Sequence, residues 1–318
     1  MDKKILTKVP FVDFVPTDGR AVFLQPFFDK NEKIFKLFLQ KKNELTFVYA
    51  KPVQACYWAD KIIDKTTDIF IPLIHNIINH YSFKTILNTS IRISTDIHNL
   101  GIIIEKYFIF LDLFCKKKNT SLSNMIRTDL EYYFGNVRSL YDQLQYLLRE
   151  IIQISKLKKK LPDSFRKMIQ KEPKELQKKY CLPQPLIKYY DSTKDFFLTC
   201  RDIRDRIYHG GLTPNFIVCF DDGFAIQKDS IFFPSPLVSK FNIWPTNKIK
   251  ENNFVSILAL VSYINMKILE NIDLFSKALT QSIRPLEPIS KNYKIFLRGP
   301  HIEHLLKSSE YLDKQWVQ

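Results

Sequence analysis

The stretch LSNMIRTDLEYYFGNVRSLYDQLQYLLREI, residues 122–151, decides the fold. Its apolar residues Ile126, Leu130, Tyr133, Val137, Leu140, Leu144, Leu147 and Ile151 alternate steps of four and three. That period places one apolar stripe along a long helix, the signature of a helix bundle. The seam serves either an ordinary intramolecular contact or a second copy of the chain. Ser121 or Ser123 can cap its start, after the connector 116–121.

Working outward, a second seam follows in Leu186, Tyr189, Thr193, Phe196, Cys200, Ile203 and Ile207, and Gly210-Gly211 stops it. Before the first seam, residues 85–116 read as an apolar helix weakened by Gly101, and 53–81 as a helix with an interruption at Pro72. Residues 1–50 read as an irregular opening of short strands and turns. Asp221-Asp222-Gly223, between 215–220 and 224–228, reads as a β-hairpin turn, and 231–233 could add a strand. A last helix is expected over 251–279. The expected fold is mainly α: a helical bundle with a small β-hairpin insertion and an N-terminal helical extension. Its parts are residues 1–118, the extension; 119–284, the bundle with the hairpin at 215–233; and 285–318, a C-terminal tail.

At 318 residues, 45% hydrophobic and 25% charged, the chain can bury a sizeable core. Seven glycines argue against a glycine-rich phosphate-binding fold. No apolar run reaches membrane-span length, and the opening residues have no signal-peptide pattern, so no membrane partner and a cytoplasmic location are expected. Five widely spaced cysteines without a CxxC pair fit reduced thiols.

The net charge of +15 points to a polyanion, against the rival that lysine follows the Lys, Ile, Asn and Phe bias of the whole chain. Residues 156–180 favour the first reading locally. They hold ten Lys and Arg against three acidic residues, a balance of +7. Lys158, Lys159, Lys160, Arg166 and Lys167 are the candidate nucleic-acid-binding residues.

The chemistry-bearing stretch is FFLTCRDIRDRIYHGG, residues 196–211. Arg201, Asp205 and Tyr208 crowd Arg204 and His209 at the end of a helix. Arg204-Asp205-Arg206-Ile207-Tyr208-His209 on a bundle helix resembles the HEPN superfamily, with Asp205 as the polar residue after the arginine. A comparable spacing recurs from Arg92 to His98 and from Arg298 to His304, without the polar neighbour in one case and across Gly299-Pro300 in the other. The resemblance covers residues 122–211 and extends to the closing helix.

It implies a metal-independent endoribonuclease without cofactors, working as a homodimer on RNA. Such proteins belong to defence or toxin–antitoxin systems, so an antitoxin protein is a possible partner. Arg204 would stabilise the phosphorane and His209 would transfer protons, tasks suited to a guanidinium fork and an imidazole. Arg201, Asp205 and Tyr208 would support them. On an ideal helix Arg204 and His209 stand about 140° apart, so the helix must unwind or a second subunit must complete the site.

Each residue also has a structural reading. Arg201–Asp205 and Arg138–Asp142 are i,i+4 ion pairs, His209 can cap the helix end, and Tyr208 can pack. A non-catalytic HEPN-type module binding nucleic acid or nucleotide is the alternative function, and a helical protein-interaction scaffold the second alternative. His301 and His304 could face one metal, but no third ligand is identifiable, so no metal site is expected.

Overall fold

The computed structural model describes residues 26–41, 44–155, 160–209, 217–228 and 239–317. Strands β1 (Phe27–Asp29), β2 (Ile34–Lys41), β3 (Glu44–Ala50), β4 (Ala55–Ala59) and β5 (Asp68–Ile69) come first. Then come helices α1 (Pro72–His80), α2 (Lys84–Lys117), α3 (Leu122–Ile154), α4 (Phe165–Ile169), α5 (Pro173–Tyr180) and α6 (Gln184–His209). The hairpin β6 (Ile217–Phe220) and β7 (Gly223–Gln227) precedes β8 (Phe254–Ser256) and α7 (Ile257–Ser282). Strand β9 (Lys294–Arg298), α8 (Ile302–Leu306) and α9 (Ser308–Lys314) close the chain.

The helices are the body of the protein, and the first seam is its spine. All eight seam residues of α3 are at most 3% exposed. The seam is therefore consumed within the chain and is not available to a second copy. Tyr133 donates to Asn265 Oδ1 at 2.7 Å, and Asn271 donates to the Tyr141 hydroxyl at 2.6 Å, joining α3 to α7. Tyr190 donates to Gln145 Oε1 at 2.6 Å, joining α6 to α3. These bonds satisfy polar groups that burial would otherwise penalise. Helix α7 opens with Ile257, Leu258, Ala259, Leu260 and Val261 all buried, so it sits centrally. Ser256 caps it, its Oγ accepting from Ala259 N at 3.2 Å. Ser121 does occupy the N-cap position of α3, but its side chain makes no capping bond there.

The mainly α expectation holds, while the β content exceeds it. Among the described residues, six strands form one sheet in the order β3-β2-β1-β4-β9-β5. In the region read as an N-terminal helical extension, the five strands β1–β5 come first and the helices α1 and α2 follow. Of the helix expected over 53–81 only α1 forms, and Pro72 starts it rather than interrupting it. Residues 55–59 become β4 because they pair on both sides, with β1 in parallel and β9 antiparallel. The tail thus supplies an interior strand. The hairpin forms at the expected turn, with Phe220 opposite Gly223. Its third strand is β8, which lies within the stretch read as the closing helix, just before α7. Residues 231–233 lie outside the described residues.

Gly223 has φ +151°, and a Cβ there would stand 2.5 Å from the Tyr107 hydroxyl. Gly101 has a different reason. It does not weaken α2, which runs unbroken, but lets the turn before α8 approach: a Cβ would lie 2.6 Å from the His301 carbonyl oxygen. Gly101→Ala gains up to about 1 kcal/mol in helix propensity and loses about 1–3 kcal/mol to overpacking. We expect a net loss, read as a lower melting temperature.

That close approach frames a buried histidine pair. His98 Nδ1 and His301 Nε2 are 2.7 Å apart, both residues under 5% exposed. Burial, with His301 second, pushes His98 down to about 3. His75 falls to about 4, mainly by burial and then through His80 and Lys294. The unfolded chain thus binds protons below pH 6.5 that the folded chain refuses, so acid destabilises. From pH 6.5 to 5 His98 alone is expected to cost about 2 kcal/mol. Asp96, raised by burial to about 6, works in the opposite direction and offsets part of this. Urea midpoints at pH 7 and 5 check the net fall, and His98→Gln is expected to flatten the slope.

Candidate functional site

The last turns of α6 face α3, because Cys200, Ile203 and Ile207 are buried against the bundle. This sets Arg201, Arg204 and Asp205 at the edge of the seam. Asp205 is the hub. Its Oδ2 meets Arg201 Nη2 at 2.5 Å and its Oδ1 meets Arg204 Nη1 at 3.0 Å. From α3, Arg138 Nη1 approaches the same Oδ1 at 4.0 Å. Asp202 and Asp142 stand 3.7 Å from Arg201 and Arg138, at the loose end of ion pairing. The i,i+4 pairs expected for Arg201–Asp205 and Arg138–Asp142 are both present.

Arg204 is held on two sides. Its guanidinium lies 4.4 Å from the centre of the Tyr208 ring, a cation–π contact. Nη1 serves Asp205, yet Nε is buried and finds no acceptor. A buried donor without a partner costs about 1–3 kcal/mol, and Arg149 Nε on α3 is another such donor. Tyr208 is half exposed, and its hydroxyl donates at 3.4 Å to the Glu131 carbonyl. It lies over Gly135, where a Cβ would come within 3.2 Å of that hydroxyl.

Comparison with family models, with curated proteins and with solved structures finds no match. The residues must therefore carry the functional argument alone. Helix α6 runs without a break to His209, so its backbone does not unwind before the glycines.

The basic segment behaves differently from its sequence appearance. Lys158 and Lys159 lie outside the described residues. Lys160 and Arg166 are exposed, whereas Lys167 pairs with Asp163 at 2.8 Å. Lys171 pairs with Glu175 at 2.9 Å. Beneath these charges Phe165, Met168, Ile169, Leu176 and Tyr180 are buried, so α4 and α5 are also a lid on the bundle core. Asp142 accepts from Phe165 N at 3.1 Å and fixes the start of α4.

The other histidines are committed elsewhere. His301 is occupied by His98, and His304 Nδ1 lies 3.0 Å from the Tyr311 hydroxyl. Among the described residues no group of three His, Cys, Asp or Glu is arranged for a metal. No helix among them is long and apolar enough to cross a membrane. Arg138 was missed as a contributor to the hub, since only the packing of α3 against α6 brings it to Asp205.

Proposed function

We propose that this chain is a HEPN-like, metal-independent endoribonuclease of a defence or toxin–antitoxin type, acting as a homodimer on cytoplasmic RNA. The observation that carries the reading is Arg204 Nε, a buried guanidinium donor without an acceptor at the end of a bundle helix. A phosphate oxygen is the acceptor that a guanidinium fork suits best. Asp205 and Tyr208 hold the fork in place, so little side-chain entropy is lost when substrate arrives.

In the proposed reaction the ribose 2′-oxygen attacks phosphorus as its proton passes to a base. The P–O5′ bond breaks, and the leaving oxygen takes a proton from an acid. The products are a 2′,3′-cyclic phosphate and a 5′-hydroxyl. His209 of one protomer transfers the protons, and Arg204 of the other stabilises the charge on the phosphorane. Tyr208 offers an exposed apolar ring to such a pairing, and Tyr132, also half exposed, lies one turn before Gly135 on α3. A dimer built here would use the α6 end rather than the buried seam.

The test incubates purified protein with total RNA, with and without EDTA, and examines fragment ends. Cleavage that persists in EDTA and leaves cyclic phosphate supports the reading. Cleavage lost in EDTA would overturn it. RNA retained but uncut would favour the binding-module alternative, in which exposed Lys160 and Arg166 hold the backbone.

A further inference from the structure

The six-stranded sheet carries a second feature that the α6 site does not use. A cleft of about 780 Å³ opens over β1, β2 and the turn before β5, within the usual volume of a small-ligand site. Its floor is apolar and aromatic, with Phe35 and Ile63, and Tyr49 stands on its rim, 60% exposed. Three ammonium groups surround the opening from three different segments. Lys33 lies in the β1–β2 turn, Lys51 directly after β3, and Lys65 before β5. All three are exposed. Among the described residues none has a carboxylate within ion-pair distance, unlike Lys30, Lys36 and Lys106, which do.

The nearby charges are otherwise spent. Arg298 reaches the cleft, but its Nε and Nη2 are both bound to buried Asp68. Asp64 turns its Oδ1 to Thr66, accepting from N at 2.9 Å and Oγ1 at 2.7 Å. The cleft therefore has three unmatched cations against one occupied carboxylate. Lys33 is further fixed by its left-handed backbone, φ 55°, which a non-glycine residue adopts only where its surroundings require it.

The geometry points to a binding site for a nucleotide phosphate, with the base laid on Tyr49 and the phosphate held among Lys33, Lys51 and Lys65. An aromatic face beside a ring of unpaired ammonium groups matches a flat base joined to an anion. A simple anion would leave the aromatic wall unused, and a purely apolar ligand would leave the three cations uncompensated. The same chemistry is offered by a free nucleotide and by one unit of a single strand. The site shares no residue with Arg204 or its neighbours, so it stands whether or not the chain cuts RNA.

The experiment uses the full chain with two probes. One is ATP, followed by calorimetry. The other is a fluorescein-labelled 2′-O-methyl decauridylate, followed by anisotropy; it lacks the nucleophilic hydroxyl and cannot be cut by the route proposed above. Lys33→Gln/Lys51→Gln/Lys65→Gln and Tyr49→Ala are compared with wild type, with melting temperature as the check on folding. Exposed lysines changed to glutamine leave the sheet packing untouched. We expect at least one probe to bind, the triple variant to bind it about tenfold or more weakly with a shallower salt slope, and Tyr49→Ala to weaken it about fivefold or more. ATP binding as tightly as the decamer identifies a free nucleotide as the source; a much tighter decamer identifies a single strand. Failure of both probes to bind wild type, or equal binding by wild type and the triple variant, overturns the proposal.

Discussion

Asp68→Ala is expected to cost about 3–5 kcal/mol of folding stability. Asp68 is 1% exposed and receives two bonds of 2.8 Å from Arg298, one from the Tyr57 hydroxyl at 2.7 Å and one from Asp64 N at 2.9 Å. The Arg298 guanidinium meanwhile lies 4.7 Å from the centre of the Phe35 ring and 5.5 Å from that of Tyr57. Removing the carboxylate leaves a buried cation with two rings and no counter-charge, and strands a hydroxyl and an amide as well. That loss is a large fraction of a typical stability of about 5–15 kcal/mol. The pair also joins β5 to β9, so the damage falls where the last strand enters the sheet. Replacing both partners, Asp68→Leu with Arg298→Met, is expected to recover most of the loss, because no charge is then left buried. Urea unfolding of the single and double variants gives the comparison. A single variant within about 1 kcal/mol of wild type would mean that water reaches Arg298 and that the pair belongs to the surface.

This ion pair was invisible in the sequence, and the reason applies to β4, β5 and β9, whereas β1, β2 and β3 fall within the residues read as short strands and turns. Asp68 and Arg298 are 230 positions apart, and β4 finds β9 across a similar distance. Short strands carry no alternation long enough to separate them from a buried helix. The long helices were legible because their evidence is local. Twenty-six residues of four-three spacing from Ile126 to Ile151 leave only one face to bury, and all eight positions are buried. The same divide runs through the candidate site. Arg201–Asp205 could be read from i,i+4 spacing. The approach of Arg138, the seat of Tyr208 over Gly135 and the unmatched Arg204 Nε depend on how α3 lies against α6. In α4 and α5 the lysines dominated the reading and hid Phe165, Met168 and Leu176, which tie that segment to the core.

His209→Ala is the second large effect, expected to lower RNA cleavage about 10²–10⁴-fold, the usual contribution of a positioned acid or base. Helicity and melting temperature should hardly change. The buried seam of α6 ends at Ile207, before the last residue of the helix. Arg204→Ala should abolish cleavage as well, but its meaning is less clean. It also removes a partner from Asp205 and a cation from the Tyr208 ring, so some of its effect is positional. Arg204→Lys sharpens that case: it keeps the charge and loses the planar fork, so a fork bound to phosphate predicts that lysine will not rescue. If the site is shared between protomers, mixing His209→Ala with Arg204→Ala protein should restore part of the activity whenever one intact pair can form across the interface. Full cleavage by His209→Ala would remove the proton-transfer assignment. Cleavage by each variant alone but never by the wild type in EDTA would transfer the chemistry to a metal. Mixed variants that stay inactive although each dimerises would place Arg204 and His209 of a single chain in the same half-site, which the unbroken helix makes hard to achieve.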